Sequence, residues 1–146
     1  MKILSKNLEQ TANTARNFLE TILPANKATV IGFYGDLGSG KTTFTQAVAK
    51  ELGVKENVTS PTFVIEKIYQ LHGQKFSHLI HIDAYRIEKS SEILHLGWHE
   101  IIDDPKNLIV VEWPERIADI LPETIKKINF AFIDENSREI IIEDRK

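Results

Sequence analysis

One eight-residue segment constrains this 146-residue chain more than any other feature. The letters GDLGSGKT at 35–42 match the pattern G-x-x-x-x-G-K-[ST] at every fixed position. They follow ATVIGFY at 28–34, a nearly continuous apolar run typical of a strand buried on both faces of a parallel sheet. The residues after them carry apolar side chains at helical spacing, namely Phe44, Ala47, Val48 and Leu52. Strand, glycine-rich turn and helix, in that order, predict a phosphate-binding loop.

The chemistry of phosphate explains this spacing. Glycines let the backbone coil tightly and turn successive N–H groups toward anionic oxygens, and the N-terminus of the following helix adds unpaired donors. Lys41 supplies a charge for the β- and γ-phosphates, and the hydroxyl of Thr42 is a ligand for Mg²⁺. We therefore predict that the loop binds a nucleoside triphosphate with Mg²⁺. The predicted nucleotide-binding residues are Gly35, Asp36, Leu37, Gly38, Ser39, Gly40, Lys41, Thr42 and Thr43.

Two predicted strands end in an acid. The segment LIHID ends at Asp83 and LIVVE ends at Glu112. Ligands bind at the carboxyl edge of parallel sheets, and a phosphate-loop enzyme needs an acid there to hold the metal or orient water. Spacing alone leaves open which acid takes which role, and each could instead cap a helix or lie in solvent.

The remaining pattern predicts an α/β fold built as one domain over residues 1–146. A first helix, capped by Ser5, should carry its apolar face between Leu8 and Ile22. Further strands are predicted at 62–69, 77–83 and 108–112, a short helix at 92–102, and a C-terminal antiparallel hairpin at 128–133 and 138–144. Strands alternating with helices favour a phosphate-loop, three-layer fold, with helices on both faces of a mainly parallel sheet and the hairpin at its edge.

The composition argues against several kinds of partner and chemistry. The formal charge of −3 argues against direct, phosphate-driven binding of DNA or tRNA. The chain has no cysteine, so disulfides and thiol chemistry are absent. No apolar run approaches the roughly 20 residues of a membrane span, and the polar N-terminus does not look like a signal peptide. We expect a cytoplasmic protein without a membrane partner.

Several other residues have two interpretations. Thr59, Ser60 and Thr62 lie one helix after the phosphate loop, where switch-type hydrolases sense the γ-phosphate. The simpler interpretation, a helix-to-strand turn set by Pro61, is favoured by the residues alone. Arg86 could stabilise phosphate or bind a partner, and equally could form a surface ion pair. Trp113 is either a core residue or part of an interface.

Four motifs in order resemble one known family. They are GDLGSGKTTF at 35–44, VTSPTF at 58–63, HIDAYR at 81–86 and VEWPE at 111–115. Together they resemble the TsaE family, the ATPases of bacterial tRNA threonylcarbamoyladenosine synthesis, over nearly the whole chain. The resemblance implies a phosphate-loop fold that binds ATP or ADP with Mg²⁺ and hydrolyses ATP slowly in isolation. It also implies that the protein works with the proteins TsaD and TsaB. Through that complex the family reaches tRNA indirectly and, by hydrolysing ATP, allows repeated turnover.

The resemblance also assigns roles to residues. It implies that Lys41 and Thr42 contact phosphate and Mg²⁺, and that Glu112 is the metal-side acid. Asp83 becomes a required acid near the γ-phosphate or the attacking water. The family's D-x-Y-R and E-W patterns add Tyr85, Arg86 and Trp113, and the segment with Thr59, Ser60 and Thr62 becomes switch-like.

Three alternatives stay open against this reading. A small-molecule kinase would usually carry an arginine-bearing lid, and the five arginines of this chain are scattered. A GTPase would carry Asn-Lys-x-Asp after the phosphate loop, and no such segment follows it. A nucleotide-dependent binding module without meaningful hydrolysis is compatible with every motif.

Overall fold

The computed structural model describes residues 1–36, 38–56, 58 and 65–143. Their order along the chain is that of a mixed α/β protein. The strands are β1 (Lys2–Ser5), β2 (Thr29–Tyr34), β3 (Glu66–Gln70), β4 (His78–Asp83), β5 (Asn107–Glu112), β6 (Lys126–Phe132) and β7 (Arg138–Ile142). The helices are α1 (Leu8–Glu20), α2 (Lys41–Glu51), α3 (Ser91–Leu94) and α4 (Trp98–Asp103), with a 3₁₀ segment over Pro114–Ile120.

All seven strands form one sheet in the order β1-β7-β6-β2-β5-β4-β3. The four central strands, β6, β2, β5 and β4, are parallel to their neighbours in this group. The outer pairs, β1 with β7, β7 with β6, and β3 with β4, are antiparallel. The expected parallel centre and C-terminal hairpin are confirmed, but the hairpin is not the edge of the sheet. The unpredicted strand β1 pairs with β7 and takes that position.

Helices cover both faces of the sheet because the central strands bury alternate side chains on opposite sides. Ile31 and Phe33 of β2 pack into the cluster beneath α1 and α2, whereas Val30 packs into the cluster beneath α3 and α4. The ring of Phe33 meets Phe44 of α2 at 5.4 Å and Phe130 of β6 at 5.3 Å, both edge-on. Such aromatic pairs contribute about 0.5–1.5 kcal/mol each beyond their burial. They hold the start of α2 over the carboxyl end of β2.

The start of α1 differs from the sequence-based expectation. Ser5 does not cap the helix, because it is the last residue of β1 and its hydroxyl lies 2.6 Å from that of Thr11. Asn7 is the N-cap, and its side chain accepts the N–H of Gln10 at 2.8 Å. Asn is as good an N-cap as Ser, so propensity alone does not separate the two positions.

The single helix predicted at 92–102 is two short helices. The chain between α3 and α4 passes through Gly97, whose φ is +81°. This left-handed conformation suits glycine and ends α3 before α4 begins. Residues 62–64 of the strand predicted at 62–69 lie outside the described residues, and β3 itself begins at Glu66.

Candidate functional site

The glycine-rich loop joins the carboxyl end of β2 to α2. Gly35, Gly38 and Gly40 all have positive φ, at +147°, +77° and +105°. At Gly35 a Cβ atom would lie 2.5 Å from the carbonyl oxygen of Phe130, so no other residue fits without a backbone shift. Gly40 is the N-cap of α2 and has no side chain to satisfy the first helical N–H groups. A helix that begins this way, with no side-chain cap on its N-terminus, has its positive end at the loop, where an anion is favoured.

Lys41 is the first residue of α2, and only 5% of its surface is exposed. Its Nζ donates a hydrogen bond to the carbonyl of Gly35 and lies 3.5 Å from the centre of the Trp113 ring. Burial lowers the pKa of Lys41, and the nearby charge of Glu112 partly offsets that effect. Within the described part of the chain, no carboxylate forms a salt bridge with it. Among the described residues this buried ammonium contacts a carbonyl and a ring but no carboxylate, so it is placed to receive an anion.

Glu112 lies beside the loop because β5 neighbours β2 in the sheet. Register pairs Glu112 with Phe33, two residues before Gly35. One carboxylate oxygen, Oε1, accepts the Thr42 hydroxyl at 3.0 Å, and the other, Oε2, bonds Nε2 of His81. Only 3% of Glu112 is exposed, and His81 is fully buried. The structure thus places Glu112, not Asp83, against the hydroxyl of Thr42.

Asp83 ends β4, one strand further from the loop, and its Cα is paired in register with that of Glu112. Its carboxylate accepts the N–H of Tyr85 at 3.0 Å. Partial burial raises the pKa of Asp83, the Tyr85 N–H lowers it, and the neighbouring charge of Glu112 raises it further. Two carboxylates at adjacent strand ends give a local negative field, the environment that a divalent cation and a basic lysine offset.

Trp113 follows Glu112 directly and lies beside Lys41 in the site. It is the one non-glycine residue with positive φ in the described ranges, at φ 60° and ψ 49°. Its ring lies 5.0 Å from that of Tyr85 as well as over Lys41. A left-handed tryptophan directly after a buried acid is backbone strain of the kind that accumulates at functional sites. The sequence placed Trp113 beside the acid but carried no sign of this conformation.

The other predicted site residues differ in how far they are exposed. Asp36 is exposed, Thr43 is half-buried, and Tyr85 and Arg86 lie at the surface. Ser39 is buried, and its hydroxyl has no hydrogen-bond partner in the described chain. Four predicted residues lie outside the described residues, namely Leu37, Thr59, Ser60 and Thr62.

Two residues of the site were not among the predicted ones. His81 bonds Glu112, and the side chain of Arg138 on β7 packs against Gly40 of the loop. The sequence signals for His81 were its place in a buried strand two residues before Asp83 and its position as the first residue of the motif HIDAYR. No sequence signal pointed to Arg138, because β7 reaches the loop only through its pairing with β6.

The described residues contain neither a preformed metal cluster nor a membrane-spanning helix. No group of three or more His, Asp or Glu side chains is arranged to hold a metal by itself. No helix there is long and apolar enough to cross a bilayer.

Comparison with known proteins identifies the family. A family model described as "Threonylcarbamoyl adenosine biosynthesis protein TsaE" matches residues 5–140. The chain belongs to the TsaE family. It is 34% identical over 147 residues to the Aquifex aeolicus protein named tRNA threonylcarbamoyladenosine biosynthesis protein TsaE, covering 97% of this chain and 98% of that one. The Treponema pallidum protein of the same name is 34% identical over 116 residues, covering 80% and 82% of the two chains.

A solved structure supports the same fold. The crystal structure of Bacillus subtilis YdiB superposes with a TM-score of 0.75 at 30% identity and covers 97% of this chain and 83% of that chain. The mixed α/β architecture is therefore shared by a protein whose sequence is less than one-third identical. Membership of the TsaE family, expected from the four motifs, is confirmed.

Proposed function

We propose that this chain is a phosphate-loop ATPase that binds ATP or ADP with Mg²⁺ and serves tRNA threonylcarbamoyladenosine synthesis. The observation that carries the nucleotide site is Lys41. Its ammonium is buried at the start of α2, on a loop with three positive-φ glycines, and forms no salt bridge within the described chain. Keeping such a charge buried is costly unless an anion offsets the cost.

The residues present fit a magnesium nucleotide. Thr42 and Glu112, 3.0 Å apart, supply hard oxygen atoms of the kind that Mg²⁺ takes. When bound, Mg²⁺ would neutralise charge on the phosphates. Lys41 would leave the carbonyl of Gly35 for a phosphate oxygen. Asp83, with its raised pKa and its place beside Glu112, is suited to orient water and to accept its proton.

The role in tRNA modification is supported by the names of the relatives, which are tRNA threonylcarbamoyladenosine biosynthesis proteins. The formal charge of −3 fits a protein that reaches tRNA through partners. We propose TsaD and TsaB as those partners, in the cytoplasm, with ATP hydrolysis allowing the complex to turn over repeatedly. Tyr85, Arg86 and the segment with Thr59, Ser60 and Thr62 are the proposed γ-phosphate-sensing or partner-facing groups.

Calorimetric titration with ATP, ADP and GTP, each with Mg²⁺, tests the nucleotide site. We expect ATP and ADP to bind and GTP to bind more weakly. Lys41→Met should abolish binding, whereas Lys50→Met, an exposed lysine in the last turn of the same helix, should leave it unchanged. Equal binding by the Lys41→Met variant would contradict the site.

Phosphate release, measured with and without TsaD and TsaB, tests the activity. We expect slow release from the chain alone and faster release with the partners present. No change on adding the partners would reduce the protein to a nucleotide-dependent binding module. Transfer of phosphate to a nucleoside or sugar faster than hydrolysis would instead identify a small-molecule kinase.

A further inference from the structure

The buried histidine beside Glu112 has no role in the function proposed above. His81 lies on β4 with 0% of its surface exposed, and Nε2 bonds the Oε2 atom of Glu112. Its other ring nitrogen, Nδ1, is buried and has no partner in the described chain. A buried polar atom without a partner costs about 1–3 kcal/mol, which a leucine at this position would avoid. Packing alone therefore does not explain a histidine here.

The chemistry of the two side chains shows which atom donates the hydrogen bond between His81 and Glu112. A carboxylate oxygen accepts, so the Nε2–H of His81 donates the hydrogen bond to Oε2 of Glu112. Nδ1 is then an acceptor, since a second proton would leave a buried N–H donor without a partner. In this arrangement the Nε2–H of His81 points at Glu112.

The hydrogen bond from His81 also determines where the other carboxylate oxygen of Glu112, Oε1, lies. With Oε2 held by His81, the carboxylate plane is fixed and Oε1 faces the hydroxyl of Thr42 at 3.0 Å. Without His81, Oε2 would have no donor in the described chain, and the carboxylate could rotate about its last torsion, which is soft. The side chain of Glu112 would then be less often in the orientation that faces Thr42.

We propose that His81 is a positioning residue that holds the Glu112 carboxylate in the orientation needed for the metal ion of the nucleotide site. The inference rests on the proposed function, because it presumes that Glu112 and Thr42 lie beside a magnesium nucleotide. His81 acts through Glu112 and touches neither the metal nor the nucleotide. Partners that orient metal-side ligands typically change metal affinity by about 10–100-fold when they are removed.

The test compares two amides of different reach. The side-chain N–H₂ of glutamine lies about where Nε2 of histidine lies, whereas asparagine is one methylene shorter and cannot reach Glu112. Both replace His81 by a neutral polar group, so they share the cost of burying an amide. Leu79→Ala is the matched control for loss of packing, because Leu79 is fully buried two residues earlier on the same face of β4.

The readout is the affinity for Mn²⁺, used in place of Mg²⁺, measured by electron paramagnetic resonance at saturating ADP. The affinity for ADP in EDTA is measured in parallel. We expect His81→Asn to weaken Mn²⁺ binding about tenfold or more. His81→Gln should remain within about threefold of the unmodified protein, and all variants should keep their metal-free ADP affinity.

Three results would overturn the inference. The first is Mn²⁺ binding by His81→Asn as tight as in the unmodified protein. The second is an equal loss in the Asn and Gln variants. The third is a comparable loss in Leu79→Ala, which would make the effect one of packing. If the unmodified protein bound no ADP, or bound Mn²⁺ no better than free ADP does, the proposed function itself would fail, and that result is distinguishable from the other three.

Discussion

The bond between His81 and Glu112 leads to a stability prediction that needs no nucleotide. Replacing Glu112 by Leu leaves the buried Nε2–H of His81 without an acceptor, and replacing His81 by Leu leaves one oxygen of Glu112 without its donor. A hydrogen bond to a charged group contributes about 1.5–3 kcal/mol, and each orphaned group adds a desolvation cost. The double variant removes both partners, so neither group is left orphaned.

We therefore expect strong non-additivity. The sum of the two single losses in unfolding free energy should exceed the loss of the double variant by about 1.5–3 kcal/mol. We take a urea m-value of about 2 kcal/mol/M. The midpoint shifts of the two single variants, added together, should then exceed the shift of the double variant by about 1 M urea. Urea unfolding of the four nucleotide-free proteins, followed by tryptophan fluorescence, measures it.

A second cycle provides the control. Leu79 and Glu112 lie four register positions apart along neighbouring strands, a separation of about 13 Å at strand rise. Leu79→Ala and Glu112→Leu should therefore add within about 0.5 kcal/mol. A coupling below about 0.5 kcal/mol between His81 and Glu112 would refute the argument, because the two groups would then not depend on each other.

Three further predictions concern the loop and its charges. Lys41→Met should raise stability at pH 7, because burial lowers the pKa of Lys41. Stability of the unmodified protein should then rise with pH between that lowered pKa and 10.5, and the variant should lack this rise in urea melts across that range. Asp83→Asn should also stabilise the protein at neutral pH, because the raised folded-state pKa makes ionisation unfavourable. The gain should grow as pH rises from about the ordinary value of 3.8 through the folded pKa, and vanish below 3.8, in thermal melts at stepped pH. Gly35→Ala should destabilise the fold by about 1–3 kcal/mol or more, since its Cβ would meet the Phe130 carbonyl at a φ that glycine favours. Gly38→Ala, where no atom lies within 4 Å, should cost less in the same urea assay.

The Lys41 and Asp83 predictions share a physical basis. Each charge is kept in a partly buried place where its ionised form is disfavoured. Natural proteins commonly give up stability at sites where function needs such groups. A variant that is more stable and no longer binds nucleotide would show that stability and nucleotide binding place opposite requirements on the site. A less stable Asp83→Asn variant at neutral pH would instead show that its carboxylate contributes more through the Tyr85 hydrogen bond than it costs by burial.

Most of the regular elements could be predicted from local sequence. The apolar run before the loop is β2, the helical spacing after it is α2, and the acid-terminated runs are β4 and β5. The elements that the sequence did not predict also have local causes. Strand β1 is only four residues long, and Gly97 lies inside an apolar pattern that otherwise continues as helix. Short edge strands and single positive-φ glycines leave little periodic signal.

The glycine loop, its lysine and hydroxyl, and the two strand-end acids were readable in the linear chain, because each depends on a few adjacent residues. Spacing alone did not show the pairing of Glu112 with Thr42, although the family resemblance implied that both lie beside Mg²⁺. The pairing follows from the strand order β2-β5-β4 and from the register that aligns Phe33, Glu112 and Asp83. The bond from His81 and the contact of Arg138 with Gly40 likewise join strands that are distant in sequence. Parallel strands pair through crossovers of a dozen or more residues, so only the folded sheet brings these side chains together.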